Sequence, residues 1–116
     1  MVTKSKIFLV LVVAGMTLMG CDAAKEIPAC IRQKIESIKA EEVRNPPAII
    51  TQYEYNGQVV FYIPAYCCDR VSELFDRNCK LLCNPDGGFT GKGDGKCPDF
   101  VTNRKNEKVI WEDNRK

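Results

Sequence analysis

Cysteine is the residue type with the most chemistry to offer in this chain of 116 residues. Seven cysteines occur and histidine is absent. Zinc sites usually show C-x2-C spacing, with or without a histidine further along, whereas this chain has C-x3-C and an adjacent pair. Disulfides in an oxidising compartment are therefore favoured over a metal site. Six of the cysteines are candidates for such bonds: Cys30, Cys67, Cys68, Cys79, Cys83 and Cys97.

Three disulfides can form among these six cysteines, in any of fifteen pairings. A bond within Cys67-Cys68 closes a strained ring, and Cys79 and Cys83 on one strand would lie about 13 Å apart, beyond the reach of one bridge. We expect Cys30 to join the Cys67-Cys68 corner and Cys97 to close a glycine-rich loop. A redox-active Cys67-Cys68 pair is the alternative.

The seventh cysteine, Cys21, follows a different kind of segment. Lys4 and Lys6 precede an uncharged run from Ile7 to Gly20, which is 14 residues long and too short to span a bilayer as a helix. Leu18-Met19-Gly20-Cys21 resembles the lipobox of bacterial lipoproteins. The resemblance implies a signal peptide over residues 1–20, fatty acylation of Cys21, and a tether to residue 26.

Removal of the signal would change the charge of the chain. The full sequence has 17 Lys and Arg against 15 Asp and Glu, and loss of Lys4 and Lys6 leaves 15 of each. Nothing then favours nucleic acid as a partner. Hydrolytic catalysis also finds little support, because no histidine is present and neither remaining serine, Ser37 or Ser72, lies in a nucleophile motif.

Residues 87–95 hold five of the eight glycines and read as a loop. The phosphate-binding P-loop pattern fails because Gly91-Lys92 is followed by Gly93, and the dinucleotide fingerprint fails because Lys96 occupies its last position. Calcium is a weak candidate, since EF-hand spacing is absent and aspartates beside glycine are more often turn residues. The oxygen ligands considered are Asp69, Asp86, Asp94 and Asp99.

The elements that position these residues are a helix and a sheet. Ile27, Ile31, Ile35 and Ile38 form one apolar stripe, and Pro28 suits the first turn of a helix that ends before Asn45-Pro46-Pro47. Residues 49–55 and 59–63 predict a hairpin about Asn56-Gly57. Its face with Ile50, Val59, Phe61 and Ile63 should pack on the stripe. Leu74-Phe75 and Leu81-Leu82 predict a second hairpin, with Cys79 and Cys83 on its returning strand. Val109-Ile110-Trp111 predicts a last short strand.

All four tyrosines fall on the opposite face of the first hairpin in this register. The favoured interpretation is that the C-terminal half covers them and leaves their hydroxyls at its rim. The alternative is an exposed aromatic platform that binds a partner. The four are Tyr53, Tyr55, Tyr62 and Tyr66.

Three segments together resemble a known family: Cys67-Cys68-Asp69, the run from Cys83 to Phe100 with its Cys97-Pro98-Asp99 ending, and Ile110-Trp111. They are similar to a family of small cysteine-rich lipoproteins of Gram-negative bacteria, catalogued as a domain of unknown function. The resemblance covers roughly Cys30 to the C-terminus. It implies no activity and no catalytic residues.

These observations predict a lipid-anchored α+β protein, with a single domain over residues 27–116. One helix packs on a small antiparallel sheet, and disulfides staple a glycine-rich second half. We expect a non-enzymatic binding or structural protein of the bacterial cell envelope, without a cofactor, held in the membrane by its lipid and facing an unknown envelope partner or ligand. The outer membrane is favoured over the inner. A thiol-redox or other envelope enzyme and an envelope protease inhibitor are the alternatives.

Overall fold

The computed structural model describes residues 27–67 and 69–115. The predicted signal peptide, the acylated Cys21 and the tether lie outside these residues, as does Cys68. Within the described part of the chain, no helix is long and apolar enough to cross a membrane.

Helix α1 spans Ala29–Lys39. Pro28 precedes it as the N-cap residue with φ −55°, and its carbonyl oxygen accepts hydrogen bonds from the amides of Ile31 and Arg32. The proline ring fixes φ near this value, which is compatible with helix initiation. The missing N–H of proline costs nothing there, because the first N–H groups of a helix have no acceptor within it. Ile31, Ile35 and Ile38 are buried, so the predicted stripe is confirmed within the helix. Ile27, its fourth predicted member, precedes the helix and is partly buried against the same cluster.

Strands β1 (Ile49–Tyr55) and β2 (Gln58–Ile63) form the predicted hairpin. Tyr53 faces Val60 and Tyr55 faces Gln58, which is the register that Asn56-Gly57 implied. Asn56 and Gly57 have φ values of 51° and 78°, as a type I′ turn requires. The sequence therefore determined the register of this hairpin locally.

The sheet has five antiparallel strands in the order β4-β3-β2-β1-β5. Strand β3 spans Glu73–Phe75, β4 spans Leu81–Cys83, and β5 spans Lys105–Glu112. The last strand is longer than the three residues expected. Its first half is exposed and charged, so it lacks the apolar alternation that reveals a strand, and pairing with β1 defines it instead.

Two apolar clusters lie on opposite faces of this sheet. On one face, α1 packs against Ile50, Phe61 and Ile63, as predicted. On the other face, the short helix α2 (Phe100–Asn103) places Phe100 against Tyr53 and Tyr55. The fold class is α+β with one main helix, and the C-terminal half forms the second cover of the sheet.

Candidate functional site

Two disulfides connect the described residues. Cys30 bonds Cys79 (the helix disulfide, Cα–Cα 6.0 Å), and Cys83 bonds Cys97 (the loop disulfide, Cα–Cα 6.2 Å). The expectation that Cys97 closes the glycine-rich loop is confirmed. The expectation that Cys30 bonds the Cys67-Cys68 corner is wrong.

The position of Cys79 explains this correction. Cys79 lies in the turn between β3 and β4 with φ 60°, not on the returning strand, so it leaves the strand ladder and faces α1. Cys67 is also disulfide-bonded. Cys68 lies outside the described residues, so a redox role for Cys67-Cys68 stays a prediction.

The loop disulfide closes a segment, residues 84–96, that we call the glycine loop. Asp94 holds its base: the carboxylate accepts hydrogen bonds from the amides of Asn84 and Lys96, at 3.0 Å each. These amide bonds, that from Lys96 first, lower the pKa of Asp94. At Gly93, with φ 66°, a Cβ atom would lie 1.8 Å from the carbonyl oxygen of Asn84, so only glycine fits. The loop therefore has a defined conformation at its base.

Asp86 fastens the glycine loop to the rest of the fold. Its carboxylate accepts a hydrogen bond of 2.6 Å from the Tyr62 hydroxyl, and its amide donates to Ser72 Oγ at 3.0 Å. Ser72 is fully buried. The amide of Gly88 also donates to the carbonyl oxygen of Arg70 at 2.9 Å. The loop is thus held at several points between its two cysteines.

Phe89 projects from this fastened loop with 95% of its surface exposed. It is the most exposed of the large apolar side chains that the structure describes. The sequence reasoning missed it, although one phenylalanine within a run of glycines and charged residues was a usable signal.

Three of the four tyrosines surround Phe100 under the C-terminal half. The ring centroids of Tyr53, Tyr55 and Tyr62 lie 5.3–5.5 Å from that of Phe100. Tyr53 and Tyr55 are 5% and 7% exposed, so for these two residues the platform alternative is wrong and the covered-face interpretation is confirmed. Tyr62 is partly buried against the same cluster, and Tyr66 is not part of it.

The hydroxyl groups of this cluster donate to carboxylates at its rim. Tyr53 bonds Glu107 at 2.8 Å and Tyr55 bonds Asp99 at 2.6 Å. The Tyr55 hydroxyl, followed by the Asn103 amide, lowers the pKa of Asp99. Burial, followed by the hydrogen bond to Asp86, raises the pKa of Tyr62. All three hydroxyls therefore keep their protons as donors near neutral pH.

The four calcium candidates do not come together. Within the described ranges, no three acidic, cysteine or histidine side chains form a group that could hold a metal ion. Asp86, Asp94 and Asp99 instead accept hydrogen bonds from the chain itself. Asp69 is exposed in the turn after Cys67. Asp94 accepts from backbone amides near it, as expected of a turn residue, whereas Asp86 and Asp99 accept from tyrosine hydroxyls on the sheet.

Tyr66 is separate from the other tyrosines. The guanidinium carbons of Arg44 and Arg70 lie 4.2 and 4.9 Å from its ring centroid, within the range of cation–π contacts. Arg44 and Tyr66 together border a cavity of about 150 Å³, which we call the proline cavity. Its other lining residues are all apolar: Pro46, Pro47, Ala48, Ile49, Pro64 and Ala65.

The glycine loop and the proline cavity are neighbours. A Cβ on Gly87 would lie 3.4 Å from the Cβ of Ala65, which lines the cavity. Neither Arg44 nor Arg70 was identified from the sequence, because the chain segments that carry them meet only in the folded structure. Two candidate binding features therefore share one region of the surface.

Comparison with known proteins gives one match. The family model described as "Domain of unknown function (DUF6970)" matches residues 36–113, from the last turn of α1 through β5. The expectation of an uncharacterised domain family is confirmed. No curated protein and no solved structure matches the chain.

Proposed function

This chain belongs to the DUF6970 family of domains of unknown function, and from its own residues we propose that it is a lipid-anchored protein of the bacterial cell envelope with a non-enzymatic binding role. In this proposal, Cys21 carries the lipid and the glycine loop presents Phe89 to an envelope protein.

The exposure of Phe89 is the observation that carries the binding role. Full burial of a phenylalanine side chain contributes about 1.5–3 kcal/mol, which the isolated fold forgoes at this position. A partner with an apolar pocket would recover it. Because the loop is already fastened by the loop disulfide and by Asp86 and Asp94, little ordering would oppose binding.

Support for the lipid anchor comes from the sequence alone. Leu18-Met19-Gly20-Cys21 ends an apolar segment with a charged start. Residues 22–26 could extend over at most about 18 Å. An acylated Cys21 would therefore hold the fold close to the membrane surface.

The anchor is tested by metabolic labelling of cells with an alkyne fatty acid. Wild-type protein should carry the label, and Cys21→Ser should not. Equal labelling of both, or a mature N-terminus at another residue, would show that the anchor proposal is wrong.

The binding role is tested by photocrosslinking in intact cells. A benzophenone amino acid at position 89 should give one discrete protein adduct. The same group at position 101 or 109 should not, although Val101 and Val109 are 59% and 50% exposed. Competing expression of Phe89→Ala protein should leave the adduct in place, and competing wild-type protein should reduce it.

Two results would contradict the binding role of the loop. One is the absence of an adduct at position 89, and the other is the same set of adducts at all three positions. The second result would describe nonspecific collisions in the envelope rather than a binding site.

The position of Phe89 also favours one particular binding role, inhibition of an envelope protease. A large side chain that projects from a disulfide-closed loop is suited to the specificity pocket of a protease that cleaves after aromatic residues. In that case the purified protein should inhibit such an activity in envelope extracts. Phe89→Ala should lose the inhibition and Phe89→Tyr should keep it, whereas equal inhibition by all three proteins would exclude this role.

A further inference from the structure

The proline cavity combines apolar walls with one charged group. Arg44 is the single charged residue among those that line it. Three prolines, Pro46, Pro47 and Pro64, supply rigid walls, and the Tyr66 ring borders the cavity. An apolar cavity of about 150 Å³ accepts a benzene-sized group. One branched or aromatic side chain therefore fits.

Arg44 is only partly satisfied by its partner in the chain. Its side chain is 13% exposed, and Glu41 Oε1 accepts hydrogen bonds from its Nε at 3.3 Å and its Nη2 at 3.2 Å. Charge-assisted bonds are usually 2.7–2.9 Å long, so both are weak. In the described part of the chain, Nη1 donates no hydrogen bond. A guanidinium largely withdrawn from water can thus donate hydrogen bonds to a further carboxylate.

Two surface hollows adjoin the proline cavity, and a longer ligand would extend into them. Arg44 and Tyr66 line both of these hollows as well as the cavity, so all three lie against the same two side chains. Glu41 and Glu42 border one hollow, and Glu73 borders the other, 4.0 Å from Lys34. These carboxylates disfavour a ligand with several negative charges. A single carboxylate placed at Arg44, with neutral groups in the hollows, matches the charges.

We propose that the proline cavity binds the C-terminal residue of a polypeptide partner. The terminal side chain, branched or aromatic, enters the cavity. Its carboxylate pairs with Arg44, and the preceding residues lie in the adjoining hollows, where Arg70 adds positive charge beside Tyr66. This site does not include Phe89, so it stands or fails separately from the binding role of the glycine loop.

The test uses the purified full-length protein and labelled tetrapeptides in a fluorescence-anisotropy titration. The first peptide is Ala-Ala-Ala-Phe as the free acid, and the second is its amide. The third, Ala-Ala-Asp-Phe amide, carries its negative charge on a side chain. The free acid should bind at least about tenfold more tightly than either amide, because a hydrogen-bonded charge pair is lost with the terminal carboxylate.

Variants locate the site. Arg44→Gln should reduce the affinity for the free acid to that for its amide. Arg104→Gln is the matched control, since Arg104 also stacks on aromatic rings, those of Tyr53 and Phe100, but away from the cavity. It should bind like the wild type.

Several results would overturn the proposal. They are equal affinity for the free acid and its amide, an Arg44→Gln affinity for the free acid equal to that of the wild type, and no binding up to millimolar peptide. A fourth is equal affinity for the third peptide and the free acid, which would assign the site to side-chain carboxylates. If Arg44→Gln does not fold, the affinities of the wild type for the acid and the amide still show whether the terminal carboxylate is recognised.

Discussion

Phe100→Ala and Phe89→Ala make a matched pair of substitutions, because the same side chain is removed from opposite environments. Phe100 is 0% exposed and Phe89 is 95% exposed. Truncation of a buried phenylalanine typically lowers the free energy of unfolding by 3–5 kcal/mol. Three tyrosine rings contact Phe100 at centroid distances of 5.3–5.5 Å. Such aromatic pairs add to area burial, so we expect the upper part of that range, about 4–5 kcal/mol.

Phe89→Ala should change the free energy of unfolding by less than about 0.5 kcal/mol, as exposed substitutions do. Since a protein of this size is stable by about 5–15 kcal/mol, Phe100→Ala removes about a quarter or more of the total. Its urea midpoint should fall by about 2 M.

Urea unfolding with the disulfides intact measures this difference. Trp111, the single tryptophan, reports it by fluorescence, and it packs against the α1 cluster on the far face of the sheet from Phe100. A shift at Trp111 therefore reports cooperative unfolding rather than a local change. A difference between the two variants of less than about 1 kcal/mol would refute the assignment of Phe100 as the centre of the second cluster.

Three further outcomes are expected. Gly95→Ala, at φ 75° in open space, should lower the free energy of unfolding by about 1 kcal/mol through backbone strain, and Gly93→Ala should lower it by at least twice as much. Equal losses would contradict the close approach of the Asn84 carbonyl oxygen to Gly93. Replacement of both cysteines of one disulfide by alanine should lower the free energy of unfolding by about 4 kcal/mol for the helix disulfide and about 3 kcal/mol for the loop disulfide. The longer sequence separation, 49 against 14 residues, restricts the unfolded chain more. A larger loss at the loop disulfide in urea unfolding would refute this entropic account. The pKa of Tyr62 is higher in the folded chain than in the unfolded chain. Its contribution to the free energy of unfolding should therefore be complete below pH 10 and decrease as the pH rises further, since the unfolded chain loses the proton first. Tyr62→Phe should flatten that decline, and an unchanged alkaline profile would contradict the burial of the hydroxyl.

Local patterns in the sequence were sufficient for the parts of the fold that depend on neighbouring residues. The spacing of Ile31, Ile35 and Ile38 defined the buried face of α1, because a helix repeats every 3.6 residues. Asn56-Gly57 set the register of β1 and β2, and the register then placed Tyr53 and Phe61 on opposite faces. These conclusions needed only backbone geometry and the alternation of side chains.

Contacts between distant segments could not be read in this way. Cys79 bonds Cys30 because its left-handed backbone turns it out of the β3–β4 ladder toward α1, and a strand register cannot express that geometry. The first half of β5 is polar, so only the pairing of Lys105 and Lys108 with β1 makes it a strand.

The candidate sites divide along the same line. The seven cysteines and the charged, apolar start predicted export and an anchor at Cys21, since these signals are carried by residue type and order alone. The tertiary structure alone decided that three tyrosines are covered while Phe89 is exposed, and that Arg44 meets Tyr66 beside the proline cavity. Burial and cavity shape depend on which distant segments pack together, and long-range packing is a property of the whole chain rather than of any local pattern.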